Sequence, residues 1–148
     1  MCLYITKDAK LKHAVKDIVC YKVLKRYTTF LGKQTLFTPY IQSPLTDVQL
    51  SGQEDFFSFD KDNNIEESKI GPGYEVSKGF IHTCANLESA RLLSQLLSLG
   101  LCYGEDIVVY KCIIPRGTRY YEGRWALSPH RDSYASKRIR FVEELKSK

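Results

Sequence analysis

Residues 105–123 constrain this chain more than any other stretch. The run 107–114, Ile-Val-Val-Tyr-Lys-Cys-Ile-Ile, is β-branched and aromatic and long enough for a central strand. Pro115 cannot donate to a ladder and stops it. Arg116-Gly117 then predicts a turn, and 118–121 resumes a strand-like pattern. The segment reads as a buried strand that delivers Arg116, Arg119, Tyr120 and Tyr121 to one sheet edge, a scaffold presenting a basic, aromatic surface. No catalytic signature accompanies it.

The rest of the chain supplies partners for that strand. Residues 17–24 alternate as a strand, with Val19, Tyr21 and Val23 on one face and Ile18, Cys20, Lys22 and Leu24 on the other. Lys22 alone breaks the apolar character. A lysine in so buried a strand snorkels out or meets an anion, so it marks an edge or a ligand contact. Residues 27–30 and 35–40 flank a turn containing Gly32 and predict a hairpin, with Pro39 and Pro44 ending regular pairing. A short first strand is expected at 2–6 and at best weak helix at 7–16.

The strand 79–84 runs into the clearest helix. Asn86 is its N-cap, Leu87, Ala90, Leu93, Leu96 and Leu97 recur at helical spacing, and Gly100 closes it. Its N-terminus suits a phosphate, or Glu88 satisfies the dipole instead. Residues 124–136 read as a polar loop. The last strand, 137–145, puts Ile139, Phe141, Glu143 and Leu145 on one face, where a carboxylate needs a partner or a task. The expected fold is α+β: a mainly antiparallel β-sheet, single or split, with one well-defined helix and a long acidic loop. It forms a single globular domain over 1–148, in which 46–70, carrying Phe56, Phe57 and Phe59, is a loop or lid-like insertion.

Charge narrows the ligand. The net +5 is segregated: residues 1–40 hold eight Lys/Arg against two acids, 111–140 eight against two, and 41–75 two against eight. If the basic arms are sheet neighbours, their field attracts an anion, from a nucleotide up to a nucleic-acid backbone. The five cysteines form no Cys-x-x-Cys pair, which argues against zinc and for a reducing, cytoplasmic setting. No apolar run reaches signal-peptide or transmembrane length, so no membrane partner is expected. Phosphate-loop, dinucleotide and His-Glu-x-x-His motifs are absent, and His13, His82 and His130 are scattered. No metal site is expected.

The order of a Tyr21-Lys22-Val23-Leu24 strand, a Gly79-Phe80-Ile81-His82-Thr83 strand entering a helix, the strand through Arg116-Gly117 and a late strand ending in Glu143-Glu144 resembles the ADP-ribosyltransferase-like fold. It is also similar to small uncharacterised bacterial and phage domains, some of which bind nucleotide signals. The resemblance, over 17–145, implies a split antiparallel sheet gripping NAD. Tyr21-Lys22 then stands at the first-strand Arg or His, His82-Thr83 at the second-strand element, and Glu143 or Glu144 at the late glutamate. The chain departs from the pattern: Lys22 is a point charge where the family has a forked or ring donor, and neither Ser-Thr-Ser nor Glu-x-Glu is present.

These features predict a small cytoplasmic domain that binds a nucleotide-like anion without chemistry, sequestering or sensing it, in a phage-related setting. Lys22, Arg116, Arg119 and Arg124 are the phosphate candidates. Tyr21, Tyr120, Tyr121 and Trp125 would stack on a base or hold a ribose, with His82 and Thr83 at the pocket end. No cofactor is expected, NAD entering only as ligand or substrate. The alternatives are an enzyme acting on NAD through Glu143 or Glu144, a nucleic-acid binder using both basic arms, and a protein-interaction module.

Overall fold

A computed structural model describes residues 11–37, 80–125 and 133–146, with short strand segments at 3–4, 44–45, 70–71 and 75–76. The strands before the helix are β1 (Leu3–Tyr4), β2 (Lys12–His13), β3 (Ile18–Thr28), β4 (Gln34–Phe37), β5 (Pro44–Leu45), β6 (Ile70–Gly71), β7 (Glu75–Val76) and β8 (Ile81–Cys84). After the helix α1 (Leu87–Ser98) come β9 (Glu105–Ile114), β10 (Arg119–Trp125), β11 (Ser133–Ser136) and β12 (Arg140–Leu145). All pairings are antiparallel, in the order β12-β9-β3-β8-β11-β10-β1-β7-β6, with β2 also on β10, β4 on β3 and β5 on β4. The sheet is open, and with the one helix found among the described residues the fold is α+β.

The expected central strand is the backbone of this sheet. β9 pairs along its length with β3, from Ile18↔Ile114 to Tyr27↔Glu105, and with β12 on its other side. The alternation of β3 divides the core as its sequence dictates. Cys20 and Leu24 pack with Val108, Tyr110, Cys112, Ile114 and Phe141, while Val23 packs with Cys84, Val109 and the helix residues Ala90 and Leu93. Tyr110 and Phe141 meet edge to face with centroids 5.7 Å apart.

The sheet forks along one edge of β3. Tyr21 pairs with Cys84 of β8, whereas residues 25–28 pair with β4. The hairpin turn between β3 and β4 holds Gly32 at φ 85°, as expected from glycine in that loop. The helix forms where its capping pattern predicts, and the Asn86 side chain accepts from the Ser89 N–H at 2.8 Å. Gly100 does not take the left-handed conformation; Leu99 closes the helix in a right-handed one.

Several expectations change. The turn after Pro115 forms, closed by the Thr118 N–H to the Pro115 carbonyl at 3.1 Å with Gly117 at φ 86°. It is not a hairpin: β10 lies four places from β9, inside the sheet and not at its edge. Part of the expected loop 124–136 is strand, since β10 runs to Trp125 and 133–136 form β11. Its Ser133, Ala135 and Ser136 are fully buried, their small side chains leaving no apolar alternation to read. Lys12–His13 is strand instead of weak helix, and Pro44 sits in a short outer strand, where a missing N–H is tolerated. In β12 a bulge between Phe141 and Glu143 reverses the alternation. Phe141 stays in one core, Leu145 joins the helix-side core, and Glu143 is exposed instead of facing apolar neighbours. The loop or lid expected at 46–70 lies outside the described residues apart from Ile70, as do Phe56, Phe57, Phe59 and His130.

Candidate functional site

Lys22 sits where the sheet forks. Its side chain is 7% exposed and its Nζ donates to the His82 carbonyl at 2.8 Å, bridging from β3 to β8 where their ladder ends. It therefore meets a backbone dipole, not an anion. Burial pushes its ammonium down from the ordinary 10.5 to about 8. Cys20 and Cys112 face each other across the β3–β9 ladder. Burial pushes the Cys20 thiol up to about 12 and that of Cys112 well above its usual range, so both are protonated. They fill core volume as small apolar groups.

The other residues singled out in the sequence are dispersed. Tyr21 lies on the helix-side face, opposite to Lys22, against the Val23 cluster. Thr83 is 1% exposed on β8, and His82 beside it is half-buried. Arg116 is exposed on the turn after β9, its backbone N–H bound by Asp17 at 2.9 Å. Arg119 is exposed on β10 with its Nε 3.3 Å from His13 Nε2. Tyr120 meets Tyr134 edge to face, whereas Tyr121 is buried against Phe80. Arg124 and Trp125 pair with Tyr4 and Leu3 of β1 in the backbone register; their side chains lie outside the described residues. The basic arms are sheet neighbours, through β3 on β9 and β2 on β10. Lys12 is nonetheless bound to Glu122 at 2.8 Å and Lys25 to Glu105.

A concavity among the described residues lies elsewhere, between α1 and the strands β9 and β12. It is a groove of about 690 Å³, within the ~300–1,000 Å³ span of small-molecule sites. One helix face lines it: Leu87, Arg91, Ser94, Gln95 and Ser98 recur at three- and four-residue steps. Ile107, Val109 and Leu145 add apolar surface from the strands, and Arg26, Asp106, Glu144 and Lys146 supply charge.

The charges are set differently on the two sides. Arg26 forks between Asp106 at 2.9 Å and Glu144 at 3.0 Å. Arg91 is exposed and pairs with none of the described residues, and the Ser94 hydroxyl on the same wall also lacks a partner among them. The lining holds three cations against two carboxylates. An apolar strip beside an uncompensated guanidinium fits a ligand with a flat apolar part and an anionic part. Glu144 alone of the sequence-predicted residues borders this groove; Glu143 does not. Arg26 and Arg91 escaped the sequence reading because one fell between two expected strands and the other on the polar side of a helix read as a packing element. The signal was there in Leu87 and Arg91, one turn apart on one helix face.

Among the described residues no three His, Cys, Asp or Glu side chains are grouped to hold a metal, and no helix is long and apolar enough to cross a membrane. No family model, curated protein or solved structure matches the chain.

Proposed function

We propose that this chain binds a small anionic, nucleotide-like ligand in the α1–β9–β12 groove and holds it unchanged, acting in the cytoplasm by sequestering or sensing it. The carrying observation is the groove itself, an apolar strip with Arg91, which pairs with none of the described residues, on one wall. The base would lie against Leu87, Ile107, Val109 and Leu145. Arg91 would take a phosphate as a forked donor.

Two geometric facts favour holding over turnover. In the ADP-ribosyltransferase-like pattern the second-strand element and the late-strand glutamate grip the same NAD, so both must reach one pocket. Here the strands next to β8 are β3 and β11, and neither Ile18–Thr28 nor Ser133–Ser136 includes a carboxylate. β12, which bears Glu143 and Glu144, is separated from β8 by β9 and β3, three interstrand spacings or roughly 14 Å. The enzyme reading keeps one foothold, because Glu144 borders the groove and would be the carboxylate acting on NAD there.

A thermal-shift screen of the purified chain against NAD, ADP-ribose, mononucleotides and cyclic and linear dinucleotides tests both readings, since a ligand that binds only the native state raises Tm by mass action. The expected result is a shift with at least one nucleotide and no product on chromatography. Product that disappears in Glu144→Gln would install the enzyme in its place, and no shift with any nucleotide would dismiss both.

A further inference from the structure

Helix α1 carries two apolar faces, and only one has a partner among the described residues. Ala90 and Leu93 are buried against β3, β8 and β9. Leu92, Leu96 and Leu99, spaced i, i+4, i+7, form a second stripe about 100° round the helix from the groove face, and all three are exposed. A helix apolar on both sides is normally enclosed on both. The stripe runs toward an end of the molecule that is itself apolar. Tyr103 follows the helix, and Phe30 and Leu31 form the tip of the β3–β4 hairpin, all three essentially fully exposed. The Thr28 N–H donates to the Gly104 carbonyl at 2.9 Å, which ties the two loops together.

The area is that of an interface. Two fully exposed aromatics, the largely open Leu31 and Leu99, and the less than half-exposed Leu92 and Leu96 offer roughly 600–800 Å² of apolar surface. Each partner of a standard-size complex buries ~800 Å², and a monomer seldom leaves so much open. The charges at the two ends of the surface have opposite sign. Glu88 lies at the N-terminal end of α1, Lys33 beside the hairpin tip at the other end, and both side chains are exposed and form no ion pair with the described residues. A surface acidic at one end and basic at the other complements a copy of itself turned through a two-fold axis.

We infer that the exposed leucine stripe of α1 and the β3–β4 hairpin tip form the interface of a homodimer, with two α1 helices antiparallel and Glu88 of each copy facing Lys33 of the other. Nothing in this depends on what occupies the groove.

Sedimentation velocity over a concentration series of the full chain reads the outcome, with circular dichroism and Tm confirming that each variant folds. The wild type should sediment as a dimer. Leu96→Asp and, separately, Phe30→Asp should raise the dissociation constant at least ~100-fold, as loss of a central apolar anchor does. Glu88→Lys or Lys33→Glu alone should weaken it and the double reversal should restore it, which only the two-fold arrangement predicts. A wild type monomeric throughout the series would overturn the inference, as would a dimer indifferent to Leu96→Asp and Phe30→Asp, or single reversals that the double variant fails to rescue.

Discussion

Lys22 shows how one residue can stabilise an awkward junction at a cost that depends on pH. Where β8 leaves β3, the Lys22 ammonium binds the His82 carbonyl, yet burial disfavours its charge. Its folded-state value near 8 lies below the ordinary 10.5, so between these values the unfolded chain holds the proton more tightly. The contribution of Lys22 to stability is therefore fully present above pH 10.5 and lost as pH falls through 8. The shift corresponds to about 3 kcal/mol. Urea denaturation at pH 7 to 10.5 should show the wild type gaining up to this amount on Lys22→Met as pH rises, with the buried thiols of Cys20 and Cys112 cancelling in the comparison. A difference flat in pH would contradict it. The sequence marked Lys22 as a lysine that snorkels out or meets an anion, and in the fold it does neither. What it met is the carbonyl of a residue sixty positions away, which no local pattern reveals.

Two left-handed glycines separate backbone strain from crowding. Gly104 and Gly117 have nearly the same φ, 83° and 86°, but a Cβ on Gly104 would stand 3.0 Å from the Thr28 carbonyl while one on Gly117 meets nothing within 4 Å. Gly117→Ala should cost about 1–2 kcal/mol for the conformation alone. Gly104→Ala should cost more, because the hairpin and the α1–β9 loop must also part; equal losses in chemical denaturation would refute this.

At the scale of elements, local chemistry decided what was legible. α1 announced itself through Asn86 and its leucines, and Asn86→Ala should lower stability by about 1 kcal/mol by removing the bond to the Ser89 N–H, measurable by the same denaturation. β3 and β9 were equally plain, since their alternation names both core faces. β11 was not, because Ser133, Ala135 and Ser136 owe their burial to neighbouring strands and not to apolarity. The bulge in β12 was invisible for a related reason: alternation predicts faces only while register holds, and one extra residue between Phe141 and Glu143 reverses them. The expected ligand set suffered from topology in the same way. Arg116 lies just beyond the far end of β9, seven residues or roughly 23 Å from Val109, the nearest groove residue of that strand.

For the molecule as a whole, the segregated charge of the sequence does become a spatial feature, since the basic arms lie side by side in the sheet. Pairing offsets much of it: Lys12, Lys25 and Arg26 all have carboxylate partners. What distinguishes the groove is therefore not total charge but Arg91, a guanidinium beside apolar surface with no carboxylate beside it among the described residues. Isothermal titration of the best nucleotide from the screen into the wild type, Arg91→Ala and Arg119→Ala tests this most directly. Binding in the groove predicts at least ~10-fold weaker affinity for Arg91→Ala, in line with loss of a charge-assisted hydrogen bond, and wild-type affinity for Arg119→Ala. Weaker binding by Arg119→Ala with Arg91→Ala unaffected would contradict the account and move the ligand to the opposite end of the sheet.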